Sequence, residues 1–328
     1  MRKTTTEVKN VNGMTRTLSF IREWGRQRTA LLALVAVLGL LSGVTASRSD
    51  VFFTSGNLRN VLLQISVLAI LAAGTTMLMV AGGIDLSIGT AMGLIAVVVA
   101  LLVNNGLSLL PVLAIGAVFG IVIGAINGSL AANSSTHPFI ITLGVSIILQ
   151  GVAIQITGGR PISKIDISLL NFGSGRTIGL PNPVWVAGAI LLIVSFIMKF
   201  TVFGRRLYAL GGNEQASRLA GVNIKRFKIA LYAANGLIVA VASIVLMSRI
   251  ASAQPLMGNG YELQAIAAVA VGGTPLAGGR GGIAGTLLGV ILLGVISNSL
   301  NLLGVSGAFQ YMLQGAVIVV AVMSQRSR

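Results

Sequence analysis

The chain has 328 residues, of which 55% are hydrophobic and 9% are charged, and its mean hydropathy is +0.92. So few charged side chains cannot cover a water-soluble globule of this length, which excludes a soluble protein and predicts one largely surrounded by lipid. Cysteine is absent, His137 is the only histidine and the seven acidic residues are scattered singly, so we expect no disulfide and no metal site.

The first 28 residues form a basic segment that precedes the apolar part of the chain. This segment is too long and too polar for a typical cleaved signal peptide. Leu18, Phe20, Ile21 and Trp24 fall on one side of a helix with arginines nearby, a pattern typical of an interfacial helix. We expect residues 1–28 to be cytoplasmic, either as a short interfacial helix or as a disordered basic tail.

Long apolar runs follow over residues 29–323, which we predict to be one transmembrane domain, with a cytoplasmic tail at 324–328. A helix needs about 20 apolar residues to cross the hydrocarbon core, and unbroken runs predict helices and not barrel strands. The expected fold class is an all-α polytopic membrane protein with about ten transmembrane helices, some short enough to be broken helices. The predicted spans are Thr29–Ala46, Val61–Ala81, Gly89–Val103, Leu110–Leu130, Phe139–Ile156, Val184–Met198, Ile229–Met247, Leu263–Leu276, Gly282–Leu302 and Phe309–Met323.

Lysine and arginine give these spans an orientation, because basic residues concentrate in cytoplasmic loops near the membrane. Ten spans with both termini inside place 17 of the 23 basic residues in the cytoplasm. We expect the loop at 157–182 to be external and the loop at 201–226 to be cytoplasmic. Contact with anionic lipid then explains the net charge of +16. Because the basic residues flank membrane spans and form no dedicated basic face, we do not expect nucleic-acid binding. The six external basic residues are Arg48, Arg59, Arg160, Lys164, Arg176 and Arg249.

Glycine is abundant, with 42 residues in two notable arrangements. Glycines recur at every fourth residue from Gly116 to Gly128 and from Gly281 to Gly289, which predicts close helix packing, the alternative being a pore lining. Glycine-rich breaks at residues 82–89 and 272–282 interrupt the helical pattern. Irregular backbone at membrane depth needs protein or a water-filled cavity to satisfy it, so the breaks either approach a transport route or are surface loops.

Uncharged polar residues supply the remaining chemistry of the spans. Amides can hydrogen-bond a neutral, hydroxyl-rich solute without burying a net charge, although they can equally join two helices. An ion-coupled carrier usually needs an intramembrane acid or base, and Asp85 in the first break is the candidate for that role. The candidate translocation path consists of Asp85, Gln64, Asn127, Gln264, Asn298 and Asn301.

Motifs for enzymatic chemistry are missing from the sequence. Residues 279–284 match a loose dinucleotide-binding pattern, but they follow no predicted strand, and no acid after Glu262 could hold a ribose. No Gly-Lys pair occurs, so the phosphate loop of an ATP-hydrolysing subunit is absent. Paired carboxylates and Ser/His pairs are also absent. We expect no catalytic residue and no cofactor bound by this chain.

Several segments carry a family resemblance. Residues 203–222, which read FGRRLYALGGNEQASRLAGV, resemble the cytoplasmic coupling loop of ribose-type sugar ABC permeases. Ala-Gln-Pro at 253–255, the run at 260–269 and Gly-Gly-Ile-Asp-Leu-Ser from Gly82 resemble the same family, and the resemblance covers about residues 56–323 in order. Thr274 and Pro275, within the second break, depart from the family pattern.

The resemblance implies a type II ABC importer-like permease fold in the bacterial inner membrane. The family's members dimerise, as a homodimer or with a paralogue, receive a small neutral sugar (pentose or hexose) from a periplasmic binding protein, and use a separate cytoplasmic ATPase subunit that hydrolyses ATP. It therefore implies a transport subunit and not an enzyme. The alternative is an ion-coupled secondary sugar carrier with Asp85 as its coupling acid.

Within the resembling loop, we expect a short helix that docks on the ATPase and transmits its closure to the pore. Asn213 is a good N-cap, Glu214 then sits at the positive end of the helix, and Gly221 can adopt the left-handed turn that ends it. Small apolar side chains share one face of this helix and could enter a groove. The expected coupling element is Asn213, Glu214, Gln215, Ala216, Ser217, Arg218, Leu219, Ala220 and Gly221.

Overall fold

The computed structural model describes residues 35–134, 136–163, 165, 170 and 173–324, so the basic segment 1–28, the start of the first predicted span and residues 325–328 lie outside the described part. The described residues form twelve helices and one antiparallel β-ribbon, in agreement with the predicted all-α class. In chain order they are α1 Val35–Ala46, α2 Ser55–Val80, α3 Ile88–Asn104, α4 Leu109–Asn133, α5 Pro138–Thr157, β1 Arg176–Thr177, β2 Leu180–Pro181, α6 Asn182–Phe200, α7 Val202–Gly212, α8 Glu214–Leu219, α9 Ile224–Ile250, α10 Tyr261–Val271, α11 Ile283–Leu302 and α12 Gly307–Ser324.

Each of the ten predicted spans overlaps one helix, while α7 and α8 lie in the loop predicted to be cytoplasmic. Among the described residues, six helices are long and apolar enough to cross a membrane, namely α2, α4, α5, α6, α9 and α11. Helices α1, α3 and α10 are shorter than a crossing as described. The structure therefore confirms a multi-span helical protein and does not confirm ten complete crossings.

Local signals set several helix ends. His137, the single histidine, precedes Pro138 and caps α5, its Nδ1 accepting a hydrogen bond from the Phe139 N–H at 3.4 Å. Asn223 caps α9 in the same manner, accepting from the Arg226 N–H at 3.0 Å. The histidine thus has a structural role at the start of α5.

Helices α2 and α9 form the centre of the bundle. Both have long apolar central parts, and side chains such as Val67, Ile70 and Met247 are fully or almost fully buried. Peripheral helices instead expose large apolar side chains, for example Ile147 on α5 and Leu192 on α6. This arrangement is expected where the surrounding solvent is lipid, because a fully apolar helix can then lie at either position.

The first glycine stripe joins α4 to α9. A Cβ atom at Gly120 would overlap the carbonyl of Gly236, and one at Gly124 would overlap the carbonyl of Tyr232. The stripe from Gly116 to Gly128 therefore lies against neighbouring helices of the same chain, which confirms the prediction of close packing. The second stripe joins α11 to α10 in the same way, with Gly285 against the carbonyl of Gly272.

Candidate functional site: two glycine breaks and an exposed helix

The first break, residues 81–87 between α2 and α3, is buried almost throughout and is not a surface loop. Asp85 is buried within it and accepts hydrogen bonds from the Ser87 N–H at 2.9 Å and the Ser87 hydroxyl at 2.6 Å. The side-chain amides of Asn127 and Asn235 also donate to its carboxylate, each at 3.4 Å. Donors from three separate segments therefore satisfy the one acid of this break.

The position of Asn235 on α9 gives the depth of this cluster. Asn235 lies 11 residues after Ile224, where α9 starts, or about 16 Å along a helix that is about 40 Å long at 1.5 Å per residue. Asp85 is therefore close to the middle of the bundle. An ionisable group at such depth is expected to face protein and to be functional.

Helices α3 and α10 begin next to each other, close to this depth. The segment that connects α9 to α10 folds back against α3, where a Cβ atom on Gly89 would overlap the carbonyl of Gly258 and one on Gly93 that of Pro255. The Glu262 carboxylate, in the first turn of α10, accepts hydrogen bonds from the Gly260 N–H at 3.0 and 3.1 Å. The glycines of α3 thus allow irregular backbone to enter the bundle.

The predicted span Leu263–Leu276 is too long at its end, because α10 stops at Val271. Its 11 residues cover about 16 Å, roughly half of the hydrocarbon core. Gly273, with a positive φ of 91°, and the rest of the second break follow instead of further helix. The sequence carries a signal for this end, because Gly272, Gly273 and Pro275 follow Val271 within the break predicted at residues 272–282.

The two breaks contact each other and α7. The Gly279 N–H, in the second break, donates to the Val80 carbonyl at the end of α2, at 2.8 Å. Gly211 on α7 packs so closely on the same Val80 carbonyl that a Cβ atom there would overlap it. The Tyr208 hydroxyl donates to the Gly281 carbonyl at 2.9 Å. Burial raises the pKa of Tyr208, so the phenol remains a neutral donor. We call this arrangement the break junction.

The remaining predicted path residues pair with polar side chains of other helices. Asn298 and Asn57 exchange two hydrogen bonds, at 2.8 and 3.0 Å, between α11 and α2. Gln64 donates to Ser297 at 3.0 Å. In separate pairs, Gln264 donates to Gln314 at 3.4 Å, and Asn301 accepts from Gln310 at 2.8 Å.

Of the six path residues, the structure brings only Asp85 and Asn127 together. Their partner Asn235, the hydroxyl of Ser87 and the junction residue Tyr208 were not predicted from the sequence. An amide in an apolar run looks the same whether it binds a helix or a solute, so no sequence signal separates these residues. Which of the six meets the solute stays a prediction.

The predicted coupling segment forms α8, with local caps at both ends. The Asn213 side chain accepts from the Ala216 N–H at 2.9 Å, and Gly221 follows the helix with a positive φ of 83°. Glu214 pairs with Arg218 at 3.3 Å and, at 2.9 Å, with Lys228 on α9. The second pair, which the sequence did not reveal, attaches α8 to the start of a central helix.

Among the described residues, one face of α8 is exposed. Leu219 is 91% exposed, and Ala216 and Ala220 are exposed beside it, while Ser217 is buried on the opposite side. Leu219, Ala216 and Ala220 thus form a small exposed apolar face on a helix that also carries charged residues. A polytopic helical protein with broken helices at mid-depth, attached to an exposed short helix, is the class of a membrane transport subunit.

Comparison with known proteins identifies the family. Residues 57–322 match the model described as branched-chain amino acid transport system / permease component. The chain is 41% identical over 308 residues to the ribose import permease protein of Escherichia coli (strain K12), covering 93% of this chain and 95% of that protein. It is 40% identical over 276 residues to the ribose import permease protein of Bacillus subtilis (83% and 85% covered) and 33% identical over 325 residues to the D-allose transport system permease protein of E. coli (98% of each). No solved structure matches.

The chain therefore belongs to the ribose-type family of ABC importer permeases. It is a multi-pass inner-membrane protein and a transport subunit of an importer whose ATPase is a partner. These relatives do not favour the ion-coupled carrier, the alternative in which Asp85 would couple transport to an ion.

Proposed function

We propose that this chain is the membrane-spanning permease subunit that carries a small neutral sugar, a pentose or hexose, from a periplasmic binding protein to the cytoplasm. The observation that carries the proposal is the direct connection from the exposed helix α8, through α7, to the break junction. The relatives named for ribose and D-allose import support the class of solute. The test is ATP-dependent uptake of labelled ribose and allose by proteoliposomes that contain the permease, its ATPase and its binding protein.

Within this proposal, α8 docks on the ATPase, which alone uses ATP, and this chain binds no cofactor. The element consists of Asn213 to Gly221, with Leu219 as its apolar anchor. Movement of the docked ATPase is transmitted from α8 through α7 to the pore, because Gly211 and Tyr208 on α7 contact the two breaks. A rigid helix in contact with irregular backbone can transmit displacement of a few ångströms without unfolding.

The solute path in this proposal runs between two permease subunits, identical or paralogous, and not through one bundle. The cavity beside Asp85 has a volume of about 10 Å³, room for about one water molecule and far too little for a sugar. In this arrangement Asp85 and Asn127 belong to the wall of the path. The amides of Gln64, Gln264, Asn298 and Asn301 are candidates for binding the solute's hydroxyl groups, and each would then give up its hydrogen bond to a neighbouring helix. Lipid covers the remaining apolar surface.

Both termini are cytoplasmic in this proposal, which single cysteines can test in this cysteine-free chain. Ile178→Cys in the ribbon turn should react with a membrane-impermeant maleimide in intact cells, and Gln215→Cys on α8 should react only after lysis. Both positions are exposed, so differences in labelling report the side of the membrane. Labelling of Gln215→Cys in intact cells, without labelling of Ile178→Cys, would show the opposite orientation.

Tyr208→Phe should reduce sugar uptake by about 2- to 10-fold, since it removes one hydrogen bond worth roughly 0.5–1.5 kcal/mol from the break junction. ATP hydrolysis by the assembled importer should continue, because the change lies outside α8. The measurement is the ratio of sugar imported to ATP hydrolysed. Tyr311→Phe, at an exposed tyrosine on α12, is the matched control. An unchanged ratio in Tyr208→Phe would mean that this bond does not contribute to coupling.

A further inference from the structure

One face of α9 connects α8 to the first break. Lys228, Tyr232 and Asn235 lie on this face, because spacings of four and three residues place side chains on the same side of a helix. At one end of the face, the Lys228 Nζ atom contacts the Glu214 carboxylate of α8 at 2.9 Å. Seven residues separate Lys228 from Asn235, or about 10 Å along the helix axis, and Asn235 reaches the first break.

At the other end of the face, two buried side chains hold consecutive residues of the first break. The Tyr232 hydroxyl donates a hydrogen bond to the Ile84 carbonyl at 2.9 Å, and the Asn235 amide donates to the Asp85 carboxylate at 3.4 Å. The Asn235 carbonyl oxygen fills the space beside Gly74 of α2 that a Cβ atom would need. A displacement of α9 therefore pulls directly on the backbone and on the one acid of the first break.

Helix α4 moves with α9, because the two backbones are packed in direct contact. A Cβ atom at Gly124 would overlap the Tyr232 carbonyl, and one at Gly128 would lie 3.0 Å from the Tyr232 Cβ atom. Asn127, between these two glycines, also donates to the Asp85 carboxylate, at 3.4 Å. Close packing of this kind transmits a displacement instead of absorbing it. The pair of helices thus holds Asp85 from two sides.

The ion pair gives α8 a second attachment to α9. Residues 220–223 connect the last turn of α8 to the start of α9, while Glu214 lies at the first residue of α8. The six residues of α8 are about 9 Å long, so the two attachments lie at opposite ends of the helix. A short helix joined to its neighbour at one end can pivot, whereas a helix joined at both ends has to move together with that neighbour.

We propose that Lys228 is a positioning residue for transport: through its pair with Glu214, it makes α9 follow α8, and α9 then displaces the first break. This connection is separate from the contact of α7 with the Val80 carbonyl. The inference rests on the proposed function, in which the ATPase moves α8. Both side chains of the pair are partly exposed, at 23% for Lys228 and 43% for Glu214. Such a pair adds little to the stability of a fold, so a substitution at Lys228 leaves the bundle assembled.

The test compares Lys228→Gln with Lys225→Gln in the complete importer, reconstituted in proteoliposomes with labelled ribose or allose. Lys225 also lies in the first turns of α9, but its Nζ atom donates to Asn133 at the end of α4 and not to α8. Lys228→Gln should lower the sugar imported per ATP hydrolysed by about 2- to 5-fold, the range over which an exposed ion pair shifts a two-state equilibrium. Lys228→Arg keeps the charge and should retain the wild-type ratio, as should Lys225→Gln.

Amide hydrogen exchange of residues 81–88, measured in the same complexes with and without ATP, provides a second readout that a merely structural role would not change. We expect ATP to alter this exchange in the wild type, in Lys228→Arg and in Lys225→Gln, and to alter it less in Lys228→Gln. Co-purification of the ATPase and the thermal unfolding temperature should be the same in all four proteins, because the exposed Leu219 face of α8 is untouched.

A wild-type ratio of sugar to ATP in Lys228→Gln, or a wild-type response of residues 81–88 to ATP, would overturn the inference. Loss of the ATPase from Lys228→Gln would overturn it as well, since Lys228 would then belong to the docking surface, and so would a lower unfolding temperature, which would assign the pair to stability alone. If the wild-type importer takes up neither sugar, the proposed function itself fails; wild-type uptake together with an unaffected Lys228→Gln overturns this inference alone.

Discussion

Replacing Leu219 with aspartate is expected to abolish sugar uptake while the protein remains folded. Leu219 is 91% exposed on α8, so the change opens no cavity and buries no charge within this chain. In the complex, the apolar anchor would be replaced by a carboxylate that must be desolvated, and loss of a central anchor costs about 2 kcal/mol or more of binding energy. The measurements are co-purification of the ATPase and ATP-driven uptake in proteoliposomes.

Ile178→Asp is the matched control for Leu219→Asp. Ile178 is also almost fully exposed, in the β-ribbon turn at the opposite end of the bundle, so its replacement should leave ATPase binding unchanged. Ala216→Arg places a bulky charge on the same face of α8 as Leu219 and should reproduce the loss. Wild-type ATPase binding and uptake in either Leu219→Asp or Ala216→Arg would show that α8 is not the docking element.

Replacing Gly120 with leucine is expected to prevent assembly of the bundle. Gly120 packs against the carbonyl of Gly236. A Cβ atom added at Gly120 would also lie only 2.8 Å from the Ala240 Cβ atom. Overpacking a tight site costs about 1–3 kcal/mol, and a helix pair in lipid depends on close backbone approach for its stability. The yield of folded protein and its thermal unfolding temperature in detergent should both fall sharply.

Gly151→Leu provides the comparison, because a Cβ atom at Gly151 on α5 would meet no heavy atom within 4 Å. The Gly151→Leu substitution thus makes the same change in volume and hydrophobicity at a position where no neighbouring atom has to move. Uptake should be normalised to the amount of folded protein, which separates failure to assemble from failure to transport. A Gly120→Leu protein as stable as Gly151→Leu would mean that the α4–α9 contact tolerates separation.

The features predictable from the sequence are those with a local or periodic cause. Apolar runs located the helices because lipid demands them, and spacing by four placed Gly120 on a packing face before any partner was known. The ends of α8 were predictable because Asn213 and Gly221 act through backbone groups within a few residues. The family resemblance lay in the same short segments.

Features that depend on distant segments could not be predicted. Asp85 receives amide donors from α4 and α9, and no periodicity relates Asn127 to Asn235. The contact between the breaks includes a bond from Gly279 to Val80, about 200 positions apart in a chain of 328 residues. The convergence of Arg59, Arg176 and Arg249 around one cavity is equally a product of tertiary structure.

During synthesis, a segment as short as α10 cannot be held by the bilayer alone. Independent insertion requires about 20 apolar residues, and α10 offers 11, with Glu262 in its first turn. Its neighbours α9 and α11, of 27 and 20 residues, can each partition into lipid without help. Gly285 and Gly289 of α11 provide the close surface that α10 needs. We therefore expect insertion of this half of the protein to be cooperative, with α10 held in the membrane by its packing against α11 and the earlier helix α2.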